Sequence, residues 1–190
     1  MFKQFKNKVM GAPTAMAGLA LGIASMGWTW ENVFNLNSQG QFLGAVLAGV
    51  LVLLLAAKFL LHPHLLKADL AHPVAGSVIP TFAMANLVIS NSVGQFNPLV
   101  GDIMWVLAFV LHLTFLVSFL YQRAKKFDFE DMAPSWFVPP VGIIIADVTF
   151  SGNPTLAWLA YSALVIGIST YAIMLPIMFY RFLLALKSDY

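Results

Sequence analysis

Six apolar runs follow one another along the chain, each close to the length that crosses a bilayer and each closed by a short polar stretch. A hydrocarbon core about 30 Å thick takes about 20 helical residues. The runs cover residues 11–28, 42–61, 73–92, 103–121, 132–152 and 156–184, and the breaks read WENVFNLNSQGQ, HPHLLKADLAH, NSVGQFNPLVGD, QRAKKFDFED and SGNPT. The pattern predicts an all-α integral membrane fold of six transmembrane helices. The second run is the most uniformly apolar, and the sixth is long, with Pro176 near its end.

The runs are of two kinds. The fifth, MAPSWFVPPVGIIIADVTFSG, carries Pro134, Pro139 and Pro140 in its first half. A proline inside a helix removes a donor and clashes with the preceding turn, at about 3 kcal/mol in an ordinary helix. In lipid, neighbouring helices or a wet cavity must satisfy the freed backbone groups. The fifth run therefore belongs inside a bundle. Pro13, Pro73 and Pro134 open the odd runs, 60 and 61 residues apart, and Pro80 interrupts the third. Small residues recur on the odd runs (Gly18, Gly22, Gly76, Gly142), while the even runs are bulkier.

Small residues let backbones approach closely or leave room for a lumen, and branched or aromatic faces suit lipid. One membrane domain over residues 1–190 is expected, built from three tandem hairpins at about 11–62, 73–121 and 133–184, with odd helices inside and even helices outside. Any six-span chain shows some spacing near 60 residues, but here the prolines and the basic residues keep the period together. The pore-lining candidates are Gly18, Gly22, Pro80, Asn86, Pro139, Pro140 and Gly142.

Composition excludes the soluble alternative. Hydrophobic residues make up 60% of the chain and charged residues 9%, and mean hydropathy is +0.83. Soluble domains carry about 25% charged residues. The net charge of +2 gives no reason to expect nucleic acid. Zero cysteines exclude disulfides, thiolate metal sites and cysteine catalysis. The start, MFKQFKNKVM, is basic like a signal peptide, but Gly, Thr and Pro interrupt the run that follows, so an uncleaved first helix is expected.

All ten Lys and Arg residues fall on one side of this topology, Lys187 the last of them, and the connections after the first, third and fifth runs hold none. The positive-inside rule then puts both termini in the cytoplasm, in a bacterial inner (plasma) membrane. Trp28, Trp30 and Trp158 sit at the opposite boundary as interfacial anchors. Lys58, in the last turn of its run, is expected to snorkel to the headgroups.

Few polar residues fall within the runs. Asp147 and His112 are candidates for a proton-linked role, since ionisable groups in lipid are costly and often functional. The plainer readings are that Asp147 reaches water or caps a neighbour, and that His112 is a neutral imidazole bonded to the next helix. Asn86 and Asn91 serve either as glue between helices or as lining. His62, His64 and His72 crowd one loop without ligand geometry or acidic partners, so no metal is expected. No P-loop, GxSxG, HExxH or Rossmann glycine pattern occurs, so neither an enzyme nor a cofactor is expected.

Proline-broken odd helices in tandem hairpins, with AHPVAGSVIP opening the third and APSWFVPPVGI the fifth, resemble the tellurite-resistance and C4-dicarboxylate transporter family, also described as voltage-dependent or slow-type anion channels. The resemblance implies odd helices around a central pore, homotrimers, and conduction of small inorganic or organic anions. It also implies ten helices in five hairpins, of which three stand here. That family's pore-occluding phenylalanine lies on the ninth helix, so Phe82, Phe137 and Phe150 inherit no gate.

The expected function is thus a channel or carrier for small anions; a non-transporting membrane subunit or scaffold, and a proton-coupled dicarboxylate carrier, are the alternatives. Inner helices without a fixed acid at mid-depth would not repel anions and would bind them weakly, which suits conduction. Three odd helices leave an arc whose proline-freed groups would face hydrocarbon, at several kcal/mol each. The native protein is therefore expected to be longer or to work in an assembly.

Overall fold

The computed structural model describes residues 2–188, with side chains from residue 3 to residue 184, which leaves the Lys187 side chain outside. Every regular element among the described residues is helical. The order is α1 (Phe2–Met10), α2 (Met16–Phe34), α3 (Gln39–Leu61), α4 (Pro63–Ala71), α5 (Pro73–Val78), α6 (Pro80–Gly94) and α7 (Pro98–Lys125). A broken segment, Pro134–Val148, then alternates two 3₁₀ turns with the single α-turns α8 (Val138–Val141) and α9 (Ile145–Val148). The long α10 (Ala157–Ser188) follows and continues through Pro176.

Among the described residues, four helices are long and apolar enough to cross a membrane: α3, Pro73–Gly94 (α5 with α6), α7, and α10 over Ala157–Leu184. The first apolar run is registered differently from the sequence expectation. Pro13 and Thr14 stand in a turn, and the helix runs on through the polar WENVF to Phe34. It ends at Asn35, whose φ of 49° is left-handed, a conformation Asn tolerates better than most residues. The extension has a physical reason. From the last turn of α2, the Glu31 carboxylate accepts from Ser38 N (2.8 Å) and Gly40 N (3.1 Å) and so caps the start of α3. The fifth run is the Pro134–Val148 segment, shorter than residues 132–152 because Thr149 to Ser151 leave the helical path.

Close backbone contacts join the elements in pairs. A methyl group at Gly27 of α2 would stand 2.6 Å from Gly40 O and 2.8 Å from Gly44 Cα of α3. One at Gly101 of α7 would stand 2.5 Å from Gly94 Cα at the end of α6. Only glycine allows backbones this near. Gly18 and Gly22, the sequence candidates for close approach, meet nothing within 4 Å. Gly101→Ala should therefore cost about 1–3 kcal/mol of stability by overpacking, whereas Gly18→Ala should be neutral or gain up to about 1 kcal/mol through helix propensity. Thermal melts of the two variants check this contrast, and equal melts would remove the packing role of Gly101.

A second contact ties the other end of each pair, through a basic side chain. Lys58, only 6% exposed, donates from Nζ to Ala12 O (2.9 Å) and Thr14 Oγ1 (3.0 Å) and lies 3.7 Å from Asp69 Oδ2. It does not snorkel. The turn at Pro13 leaves the Ala12 carbonyl outside any helix, and the buried ammonium satisfies it. Arg123, 7% exposed, donates Nη2 to Ala71 O (2.5 Å), just before Pro73. Arg181 donates to Phe129 O (3.2 Å) and Glu130 O (2.6 Å), shortly before Pro134. In each case the end of the plainer helix grips carbonyls ahead of the proline that opens its partner.

The core centres on α6, the most buried of the long helices. Ala85 and Val88 pack with Ala20 and Ala24 of α2 and Ala48 and Val52 of α3. Leu87 packs with Trp105, Ala108 and Phe109 of α7, with Ile143 and Ala146 of the broken segment, and with Ala160 and Ala163 of α10.

Candidate functional site

The broken segment is the least regular backbone in the protein, and it lies among α6, α7 and α10. Pro139 and Pro140 are buried, with Trp136, Ile143 and Ala146 beside them. Prolines at 139 and 140 cannot donate, and the 3₁₀ turns redirect other bonds, so carbonyls along the segment need outside partners. Side chains from three helices supply them. His112 of α7, fully buried, donates Nε2–H to Pro139 O at 2.8 Å. Thr170 Oγ1 of α10 lies 3.2 Å from Pro140 O, a contact it shares with its own helix at Ile166 O (2.8 Å) and Gly167 O (3.0 Å).

At the far end of the segment, Trp105 Nε1 donates to Ala146 O (3.0 Å) and Asn91 Nδ2 to Thr149 O (3.0 Å). Asn91 Oδ1 accepts from Gln41 Nε2 of α3 at 2.7 Å, which extends the chain of bonds across α6. The Pro139 carbonyl is met within the chain, because α7 brings His112 against it, and Val138 N meets the Ser135 carbonyl that Pro139 leaves without its helical donor.

The sequence candidates do not gather at one place. Pro139, Gly142 and His112 come together; a methyl group at Gly142 would stand 2.9 Å from Met84 Sδ and 3.8 Å from His112 Cε1. His112 Nδ1 is buried and has no partner among the described residues. Asn86 bonds back to Phe82 O (2.7 Å), and both line a cavity of about 170 Å³ with Met104, Leu107, Ala108 and Leu111. Pro80, fully buried, starts α6. Gly18 and Gly22 stand apart, half-buried and exposed on the open side of α2. Asp147 is half-buried on α9, and its carboxylate makes none of the bonds that hold the segment.

Asp102, which sequence reasoning passed over, also has a defined setting. It accepts from Ser151 Oγ and Asn153 Nδ2, both at 2.6 Å. It lines a cavity of about 350 Å³ with Ser90, Asn91, Thr149 and Ser151 beside Trp105 and Phe150, at the end opposite the basic clasps. A charged residue at the head of an apolar run was the available signal. Trp105 and Thr170 gave none, since an indole and a hydroxyl look the same in sequence whether they face lipid or a carbonyl.

Sequence comparison adds the family. Residues 5–188 match the voltage-dependent anion channel family. The chain belongs to that family. An uncharacterized transporter of Methanocaldococcus jannaschii is 28% identical over 148 residues, covering 71% of this chain and 43% of that protein. A second uncharacterized transporter of the same organism is 28% identical over 131 residues, 62% of this chain and 38% of its own length. A tellurite resistance protein TehA homolog of Haemophilus influenzae is 25% identical over 175 residues, 83% of this chain and 52% of that protein. The chain thus spans about half or less of the curated relatives it matches.

Proposed function

We propose that the chain forms the wall of a pathway for small anions, with the broken segment at its centre, and that this pathway conducts rather than catalyses. One observation carries the reading. The carbonyl oxygens of Pro139, Ala146 and Thr149 would repel an anion, and each is turned to a donor on a neighbouring helix. Apart from Ser135, the segment carries apolar, uncharged side chains until Asp147, a surface that neither repels an anion nor holds it tightly. Irregular backbone at membrane depth is tolerated where protein buries it or where it lines a water-filled path.

In this reading the chain crosses the bilayer six times as three hairpins (11–62, 73–121, 133–184), odd helices inward, with both termini cytoplasmic in an inner (plasma) membrane. The fifth crossing would be made by the 15 residues Pro134–Val148, a shorter apolar segment than the other spans. At about 2.0 Å rise per residue in its 3₁₀ turns and 1.5 Å in its α-turns, the segment extends about 26 Å, close to the depth of the core. Asn86 and Gly142 face the pathway, while Gly18 and Gly22 lie on the open side of α2, away from the segment. The substrates are small inorganic or organic anions, with C4-dicarboxylates and tellurite-related oxyanions as the classes to try, and the working form is a homo-oligomer.

Reconstitution of the purified chain in liposomes tests the reading, with chloride, nitrate and succinate flux measured against potassium. Selective anion flux is expected; leakage no faster than from empty vesicles would leave a non-transporting subunit instead. Topology has its own check in a chain without cysteine. Single cysteines at Asn35, Asn97 and Asn153 should react with an impermeant thiol reagent on intact cells, and those at Lys67 and Lys125 should not; the reverse pattern would invert the orientation.

The unpartnered Nδ1 of His112 favours a second reading, a proton-coupled carrier of dicarboxylates. Uptake driven by an imposed pH gradient, and lost in His112→Gln, would select it; flux that follows voltage alone would exclude it.

A further inference from the structure

We propose that the groove between α1 and α3 is a binding site for one anionic phospholipid, its phosphodiester on Lys8 and an acyl chain along the outer face of α3. The site rests on α3 crossing the bilayer, which the experiment below reads separately.

The groove has a volume of about 460 Å³ and is lined by Phe5, Lys8, Val9, Gly11, Ala12 and Leu54. That is within the size range of small-molecule sites, about 300–1,000 Å³. Its walls are apolar and no lining residue is acidic, while Lys8 stands exposed on the helix that forms one wall. The small residues Gly11 and Ala12 keep the space open where larger side chains would fill it. The helix α1 is held in place: His62, at the end of α3, donates Nε2–H to Lys6 O at 2.9 Å. With Phe5 and Val9 four residues apart and Lys3, Lys6 and Lys8 beside them, α1 reads as an interfacial helix whose polar side meets headgroups.

The groove continues into an acyl path. Leu43, Leu47, Val50 and Leu54 follow one another at spacings of four, three and four, so they share one face of α3. Leu43, Leu47 and Val50 are each more than half exposed. At 1.5 Å per residue, Leu54 to Val50 carries the stripe about 6 Å from the groove to the middle of α3, and Leu47 and Leu43 continue it to within about a turn of the helix start. A cation at the headgroup level above an apolar groove and stripe complements an anionic phospholipid, and it offers nothing to the choline of a zwitterionic one.

Native mass spectrometry of the whole chain in detergent, with equimolar phosphatidylglycerol and phosphatidylcholine, tests the site. Phosphatidylglycerol should be retained about fivefold or more over phosphatidylcholine, roughly the contribution of one basic group. Lys8→Glu should bring the ratio near one, and Leu54→Trp, which fills the groove, should reduce retention of both lipids. Lys126→Glu, on an exposed cation far along the chain, should leave the ratio unchanged. Excess inorganic phosphate should not displace the lipid. Equal loss in Lys8→Glu and Lys126→Glu, displacement by phosphate, or no preference in the unaltered chain would each overturn the proposal. Alkaline carbonate extraction of the host membranes reports bilayer crossing independently: a chain that stays in the pellet without lipid preference sinks the site alone.

Discussion

Lys58→Met should lower the thermal midpoint of the purified chain by roughly 6–12 °C. Lys58 is a buried cation with three oxygen partners, Ala12 O, Thr14 Oγ1 and Asp69 Oδ2. Methionine keeps the length of the stem and removes the charge, so it leaves the Ala12 carbonyl without its donor and the Asp69 carboxylate without its cation. Thr14 still donates to Asp69 Oδ2 at 2.5 Å, which limits the loss. Removing one member of a buried charged pair costs about 3 kcal/mol, and each kcal/mol shifts the midpoint of a chain this size by about 2–4 °C. Asp69 is 28% exposed, so Asp69→Asn should cost less. Lys58→Arg keeps a charged donor and should recover most of the loss, while the exposed Lys126→Met should move the midpoint little. Equal midpoints for Lys58→Met and Lys126→Met would show that the clasp holds nothing.

That side chain marks where the sequence stopped being legible. A lysine in the last turn of an apolar run reads the same whether it snorkels to headgroups or turns inward. What turns it inward is a carbonyl left bare by Pro13, 46 residues earlier. Arg123 and Arg181 repeat the arrangement on carbonyls ahead of Pro73 and Pro134, so the prolines and the basic residues that keep a common period in sequence are contact partners in space. The glycines failed for a related reason. Gly18 and Gly22 have the same spacing as Gly40 and Gly44, but only the second pair falls where two helices cross. Crossing points depend on helix register, and Glu31 shifts that register by carrying α2 past the expected boundary to cap α3. The strong local signals fared better. Long apolar runs gave α3, α7 and α10, the double proline gave the broken segment, and the plain reading of His112, a bond to a neighbouring helix, is what the geometry shows.

The bond between His112 and Pro139 carries the last prediction, and it couples two changes. His112→Ala should destabilise the chain by about 3 kcal/mol, since it opens a cavity and leaves a buried carbonyl without a donor. His112→Gln, whose amide nitrogen reaches about as far as Nε2, should restore part of this. Replacing both Pro139 and Pro140 by alanine returns two backbone donors and lets the segment straighten toward a regular helix. In such a helix the carbonyl of residue 139 accepts from the N–H four residues on, so His112 is no longer needed there. The cost of His112→Ala should therefore shrink by about 1–3 kcal/mol in the proline-free background, a coupling typical of residues in contact. Anion flux should move the other way. If the irregular segment shapes the pathway, the double alanine variant should melt no lower than the unaltered chain yet conduct differently, by about tenfold if the barrier shifts by 1.4 kcal/mol. Additive stabilities would mean that the histidine bond does not depend on the break, and unchanged flux in a straightened segment would remove the break from the pathway.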